Sequence, residues 1–208
     1  MGTIKNIRNI RIEITWIRHG KTKGNEEHRY IGRTDEKLSD TGIKEIAEKK
    51  SEYSEIKPDY IYSSAMKRCI QTARLLFDKE PKIIEEFNEM DFGDFEGKNY
   101  YELNGDTRYQ EWIDSNGELP FPDGEAREEF IKRCMKGYEK MLEDIKCDTY
   151  SRTNCKTENM SDDEICISVA SVVHGGTIMA VMSSLQGGEY FDYQIGNAEC
   201  QKIEVVSK

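Results

Sequence analysis

Two stretches of this chain share a layout that restricts the fold more than any other feature. In the first, Ile10, Ile12, Ile14 and Trp16 alternate with Arg11, Glu13 and Thr15, the period of two that marks a strand, and the run ends at Arg18-His19-Gly20. In the second, the apolar run EICISVASVV, residues 164–173, ends at His174-Gly175-Gly176. A helix is expected after each. With only three histidines and 16 glycines in 208 residues, chance places two histidines before glycine in roughly one sequence in fifty. Ligands of open α/β sheets bind in the crevice beyond the carboxyl ends of the strands, so both imidazoles are expected at one sheet edge. One histidine at a strand end serves equally well as a packed residue satisfied by a carbonyl. The pair is what points to chemistry.

The rest of the chain alternates in the same way. LSDTGIKEIAEKKSEYSEI reads as a helix with Ser39 or Asp40 as its N-cap and Ile43, Ile46 and Ala47 on one face. PDYIYSSA reads as a second strand, MKRCIQTARLLF as a helix with Cys69, Ile70, Ala73, Leu76 and Phe77 inward, and KIIEEF as a third strand. From 88 to 125 the periodicity is poor and aromatics are many, which suggests an irregular, lid-like insertion with short helices. EAREEFIKRCMKGYEKMLEDI restores a helical pattern, TIMAVMSSLQ follows the 164–173 strand as a helix, and CQKIEVVS closes the chain as a strand. The polar stretch 147–164 reads as a surface loop. Strands alternating with helices imply a single domain over 1–208, a three-layer α/β/α sandwich around a mostly parallel sheet.

Composition removes several classes of function. A formal net charge of −10 repels nucleic acid and anionic membranes over most of the surface, so neither is expected as a partner. Lysine and arginine interrupt the first seventeen residues, leaving no signal or membrane span there, and a cytoplasmic location is expected. Cys69, Cys134, Cys147, Cys155, Cys166 and Cys200 form no C-x-x-C pair and read as reduced structural thiols. Any anion must be held by a local cluster of cations. Arg18 beside His19, and Arg68 just past the second strand, supply one, because a buried guanidinium is costly unless an anion neutralises it. Phosphate fits the guanidinium fork in bidentate fashion.

At this point the chain resembles a known family. The runs R-H-G-x-T-x-x-N (18–25), Y-x-G-R-x-D-x-x-L-S-x-x-G (30–42), S-S-x-x-x-R-x-x-Q-T-A (63–73), E-x-x-x-G-x-x-E-G (89–97) and H-G-G (174–176) look like the histidine phosphatase superfamily, also called the phosphoglycerate mutase-like family. The resemblance runs in order across nearly the whole chain. It implies His19 as nucleophile and phosphohistidine, Glu89 as general acid and then base, and Arg18, Arg68 and His174, with Asn25, around the phosphate oxygens. Thr22, Gly32 and Gly175 fall in the same motifs and are expected at the phosphate site. No cofactor is implied, and no spacing here looks like a metal site. Glu85, Glu86, Asp91, Asp94 and Glu96 read as surface or loop-bracing acids, and His28 as ordinary.

The chain departs from the pattern at Lys21, where the family usually has glutamate, and at Phe95, where tryptophan is common. The stretch NEMDFGDFEGKNYYEL is acidic and aromatic, whereas a mutase needs further cations around its doubly anionic substrate. A small phosphomonoester, hydrolysed, is therefore the expected substrate. The runs G-R-T-D, E-M-D-F-G-D-F-E-G-K and F-P-D-G-E are closest to the alpha-ribazole phosphatase branch, which acts late in cobalamin synthesis, although Ala126 follows where serine is usual. A broad small-molecule phosphatase, a cofactor-dependent phosphoglycerate mutase and a non-catalytic phospholigand module remain as alternatives, and monomer and dimer are equally compatible with the sequence.

Overall fold

A computed structural model describes residues 10–154 and 165–207. Among the described residues, five strands form one sheet: β1 (Ile10–Arg18), β2 (Tyr60–Ser63), β3 (Lys82–Ile83), β4 (Ile165–Val173) and β5 (Cys200–Ser207), in the order β3-β2-β4-β1-β5. All neighbours are parallel except β5, which runs antiparallel to β1. The helices are α1 (Lys23–Glu26), α2 (Asp40–Tyr53), α3 (Lys67–Phe77), α4 (Thr107–Asp114), α5 (Arg127–Asn154) and α6 (Gly175–Gln186). No helix among the described residues is long and apolar enough to cross a membrane.

Strand alternation sorts the core into two layers. Ile10, Ile12, Ile14 and Trp16 of β1, with Tyr60 and Tyr62 of β2 and Val169 and Val173 of β4, bury one sheet face with α5 and α6. Ile17, Ile61, Ala170 and Val172 point the other way and pack with α2 and α3. The result is the expected α/β/α sandwich.

Several local expectations are corrected. On α2 the buried stripe is Gly42, Ile46 and Tyr53, while Ile43 and Ala47 are exposed. A side chain at Gly42 would strike the backbone of Lys21, and this close approach turns the Gly42 face inward. On α3 Cys69, Ala73 and Leu76 are buried, but Ile70 and Phe77 only partly so. The third strand is two residues long, because the chain leaves the sheet at Ile84 for a 3-10 turn, Glu85–Phe87, that drops Phe87 edge-on against Trp16 at 5.4 Å and 84°. The polar stretch from 147 begins as helix, since α5 continues to Asn154; residues 155–164, including Cys155, lie outside the described residues. α6 starts at Gly175, two residues before the expected Thr177.

The segment 88–125 is irregular, as expected, with a 3-10 turn at Gly93–Phe95 and α4. Its order comes from aromatic packing: Phe92 meets Phe121 at 5.0 Å, Phe95 meets Tyr109 at 5.5 Å and Trp112 meets Phe121 at 4.8 Å, with Tyr30 reaching Phe92 at 5.3 Å.

Phe87→Ala is expected to lower the unfolding free energy by about 3–5 kcal/mol in urea denaturation. Ile43→Ala, on the exposed side of α2, is expected to stay within about 0.5 kcal/mol of the parent.

Candidate active site

The strand register explains why the two histidines meet. β1 and β4 are adjacent and parallel, Arg18 pairs with Val173, and the His19 N–H donates to the Val173 carbonyl at 2.9 Å. The next residue on each strand is a histidine, and their buried rings lie 5.2 Å apart at 67°. Nδ1 of His19 donates to the Gly20 carbonyl at 2.7 Å, since a carbonyl can only accept, and the lone pair therefore sits on Nε2. Gly20 is itself pinned, its N–H donating to Thr72 Oγ1 at 3.0 Å. Burial, then the Arg68 and Arg18 charges, hold the His19 pKa well below the ordinary imidazole value. Burial and Arg68 do the same to His174. Both rings are neutral at physiological pH, the form in which an imidazole is a nucleophile.

Arg68 is buried at 1% exposure, yet its partners carry no full charge. It donates to the Thr34 carbonyl at 2.8 Å, to Gly32 at 2.9 Å, to Ile31 at 3.3 Å, and through Nε to Nδ1 of His174 at 3.3 Å. Nδ1 of His174 is thus an acceptor, and Nε2–H donates to Ser64 Oγ at 2.9 Å. Arg18 donates to the Ile195 carbonyl at 2.6 Å, while its buried Nε has no partner. Burial lowers the Arg18 pKa, and Glu89 and Glu199 raise it only from a distance. Two guanidinium charges thus converge on the histidine pair, and an orphaned donor among them is the mark of an anion site.

Glu89 faces this cradle. Its carboxylate accepts from the Met90 N–H at 3.0 Å and from the Gly176 N–H, in the first turn of α6, at 3.4 Å. A Cβ at Gly176 would push that carboxylate aside and crowd Phe130, so glycine here leaves Glu89 its place. Burial raises the Glu89 pKa, against opposing pulls from the Met90 N–H, Arg68 and Arg18. A carboxyl tuned upward beside two cations suits a group that must both give and take a proton.

The remaining predicted residues divide into contact and support. Asn25 Oδ1 accepts from the Thr22 N–H at 3.1 Å and from Asn197 Nδ2 at 3.3 Å, which turns its own amide NH2 to the free side. Thr22 is fully buried and caps α1, its hydroxyl accepting from the Asn25 N–H at 3.3 Å, so its present role is to position Asn25. Gly32 presents its carbonyl to Arg68 and its N–H to the Glu96 carboxylate at 3.0 Å. Gly175 gives the Arg18 guanidinium room, since a Cβ there would be 3.3 Å from Nε. Glu96 braces the loop as expected. Sequence reading assigned no role to Asn197, which ties the His19 carbonyl at 3.1 Å to Asn25, or to Ser64 behind His174; Asn197 lies in no pattern that could single it out, whereas Ser64 is the second serine of the 63–73 motif.

A cleft of about 550 Å³ opens beside Glu89. Its lining includes Glu85, Glu86, Asp91 and Glu125, and its two cations are already paired, Arg33 with Asp91 at 3.0 Å and Arg133 with Glu125 at 2.7 Å. Among the described residues no group of three or more histidine, cysteine, aspartate or glutamate side chains is gathered as a metal site would require.

The profile of the histidine phosphatase superfamily (branch 1) matches residues 14–208. The chain belongs to the histidine phosphatase superfamily. It is 30% identical over 177 residues to putative phosphoserine phosphatase 2 of Hydrogenobacter thermophilus, covering 82% of this chain and 77% of that protein. Its fold matches a putative alpha-ribazole-5'-P phosphatase of Escherichia coli with a TM-score of 0.73 at 22% identity, covering 93% of this chain and 90% of that one. A phosphoserine phosphatase of Entamoeba histolytica, solved with 3-phosphoglyceric acid, matches with a TM-score of 0.69 at 27% identity over 92% of this chain and 89% of that one. Phosphoglycerate mutases are also among its relatives. The family and the phosphatase expectation both stand.

The buried neutral histidines make stability depend on pH with a definite sign. Unfolding returns both imidazoles to a pKa near 6.5. Between their lowered values and that point the unfolded chain binds protons that the folded chain refuses, so stability falls on acidification, by about 1.4 kcal/mol per pH unit for each imidazole. Glu89 acts oppositely, keeping its proton above its unfolded pKa, and offsets part of the loss once the pH drops below its raised value. Urea unfolding between pH 7.5 and 5.5 should show a steep decline that His19→Asn makes shallower. A flat profile in the parent protein would contradict the neutral pair.

Proposed function

We propose that the protein hydrolyses small-molecule phosphomonoesters through a phosphohistidine formed on His19, without a metal. The observation that carries this reading is the free Nε2 of a neutral imidazole set beside the buried Arg68 and the partly buried Arg18, neither of them paired with a carboxylate among the described residues. Nε2 attacks phosphorus, the P–O ester bond breaks, and Glu89 gives its proton to the departing oxygen. Water then attacks the phosphorus, gives a proton to Glu89, and the P–N bond breaks to release inorganic phosphate. Arg18, Arg68 and the Asn25 amide hold the three oxygens that do not react, and His174 balances charge beside the nucleophile.

Among substrates we place alpha-ribazole phosphate first, on the G-R-T-D, E-M-D-F-G-D-F-E-G-K and F-P-D-G-E runs. Phosphoserine follows, on the relative named for it. The cytoplasm is the expected location. A phosphoglycerate mutase is the second reading, since mutases are among the relatives. The acidic cleft with its paired arginines argues against it, because a phosphoglycerate brings a second anion to that wall.

A panel holding alpha-ribazole phosphate, phosphoserine and 3-phosphoglycerate tests both. Phosphate release should persist in chelator and fall by roughly 10³-fold or more in His19→Ala. Retained activity in that variant would overturn the mechanism, and isomerisation of 3-phosphoglycerate without free phosphate would establish the mutase.

A further inference from the structure

We infer that Arg133, on α5, is the positioning residue for proton transfer, holding the backbone of residues 86–89 so that the Glu89 carboxyl stays aimed at the cradle. This rests on the reading of Glu89 as the acid. The segment belongs to no strand, and its four consecutive carbonyls have no ladder to join. Side chains serve them instead. Nη1 of Arg133 donates to the carbonyls of Glu86 and Asn88, each at 2.9 Å, and Nη2 donates to that of Glu89 at 3.3 Å. Thr177 of α6 takes the fourth, donating to the Phe87 carbonyl at 3.0 Å.

The other edge of the same fork grips the far side of the cleft. Nε and Nη2 of Arg133 reach the two Glu125 oxygens at 2.9 and 2.7 Å. Glu125 in turn donates its N–H to the Asp91 carbonyl at 2.9 Å and accepts the Asp91 N–H at 3.4 Å, so the chain is fixed on both sides of Glu89. The guanidinium lies 5.0 Å from the centre of the Phe130 ring, the ring that borders Gly176. One planar cation thus orders two loops. A lysine at this position could carry the charge but not the fork.

Arg133 does not bond to the Glu89 carboxyl. That carboxyl has only two backbone N–H contacts, one of them 3.4 Å long, so its position follows the position of its backbone. A displacement of about 1 Å costs a reacting group on the order of 100-fold in rate.

The test compares kcat/KM, which reports the phosphorylation half-reaction, for an alkyl phosphate and for p-nitrophenyl phosphate. The alkoxide leaves only with a proton, whereas nitrophenolate leaves without one. Arg133→Lys should lower kcat/KM by roughly 100-fold on the alkyl ester and by less than about threefold on the aryl ester. Glu125→Gln, which loosens the fork without removing it, should shift both in the same direction by a smaller factor. Because the Arg133 side chain is 28% exposed, free guanidinium should restore part of the alkyl activity of Arg133→Ala. Equal losses on the two esters would overturn the inference and leave Arg133 a structural role alone. Glu89→Gln separates the two ideas: if it is selective for the alkyl ester and Arg133→Lys is not, only the inference about Arg133 fails. If Glu89→Gln is unselective too, the assignment of the acid fails with it.

Discussion

Two guanidinium charges held inside the protein by carbonyls rather than carboxylates set the terms for everything around them. Taking an ion out of water costs several kcal/mol even after relaxation, and arginine cannot escape by losing its proton. Arg68 meets that cost with three carbonyls and a neutral imidazole; Arg18 meets it with one carbonyl and leaves a buried donor unpaired. Burial, reinforced by their field, keeps both histidines neutral, and the same field pulls against the burial that raises Glu89. Outside the cradle the chain is strongly acidic. An anion is repelled by most of the surface and attracted at one point, which fits the small phosphate ester proposed as substrate.

The parts of this arrangement that depend on local pattern were legible in the sequence. The period of two in β1 and the apolar run of β4 place His19 and His174 at strand ends, and the adjacency of those strands does the rest. Arg68 could be found because it follows β2 within one turn. The parts that depend on distant packing alone could not be found. Asn197 lies 178 residues from His19, whose carbonyl it holds; Ser64, 110 residues from His174, stands inside the 63–73 motif, but only the fold shows which side chain it meets. Glu89 stands among so many acids that only the family motif separates it from its neighbours. Likewise β3 reads as six residues and forms two, because burying Phe87 against Trp16 outweighs continuing an exposed edge. The end of α5 reads as loop because a helix with no apolar stripe offers no period to detect.

The two halves of the site are held in different ways for the same reason. Arg18, His19 and His174 extend from central strands whose ladders already fix their backbone, so few side-chain clamps are needed there. Glu89 sits where the chain has left the sheet. Its segment has four free carbonyls, and a buried carbonyl without a donor is costly. Arg133 and Thr177 satisfy them, supplying by side chains the hydrogen bonds that a ladder supplies to a strand.

In the proposed reaction a single carboxyl first donates and then accepts a proton, which needs a pKa that moves with the reaction, and the opposing causes of the Glu89 shift suit that task. Burial favours the protonated form, while Arg18 and Arg68 favour the charged one. A dianion entering the cradle cancels much of the field of those arginines, which removes the opposing pull and strengthens the protonated form when a proton is to be given. On that mechanism, once the leaving group departs with the proton, the proposed phosphohistidine carries the phosphoryl group and the ionised Glu89 has the Met90 and Gly176 N–H groups to stabilise it. Water then meets a carboxylate in place of an acid. On the proposed mechanism the cations that attract the phosphate also time the proton, and carboxylates of their own would cancel both effects.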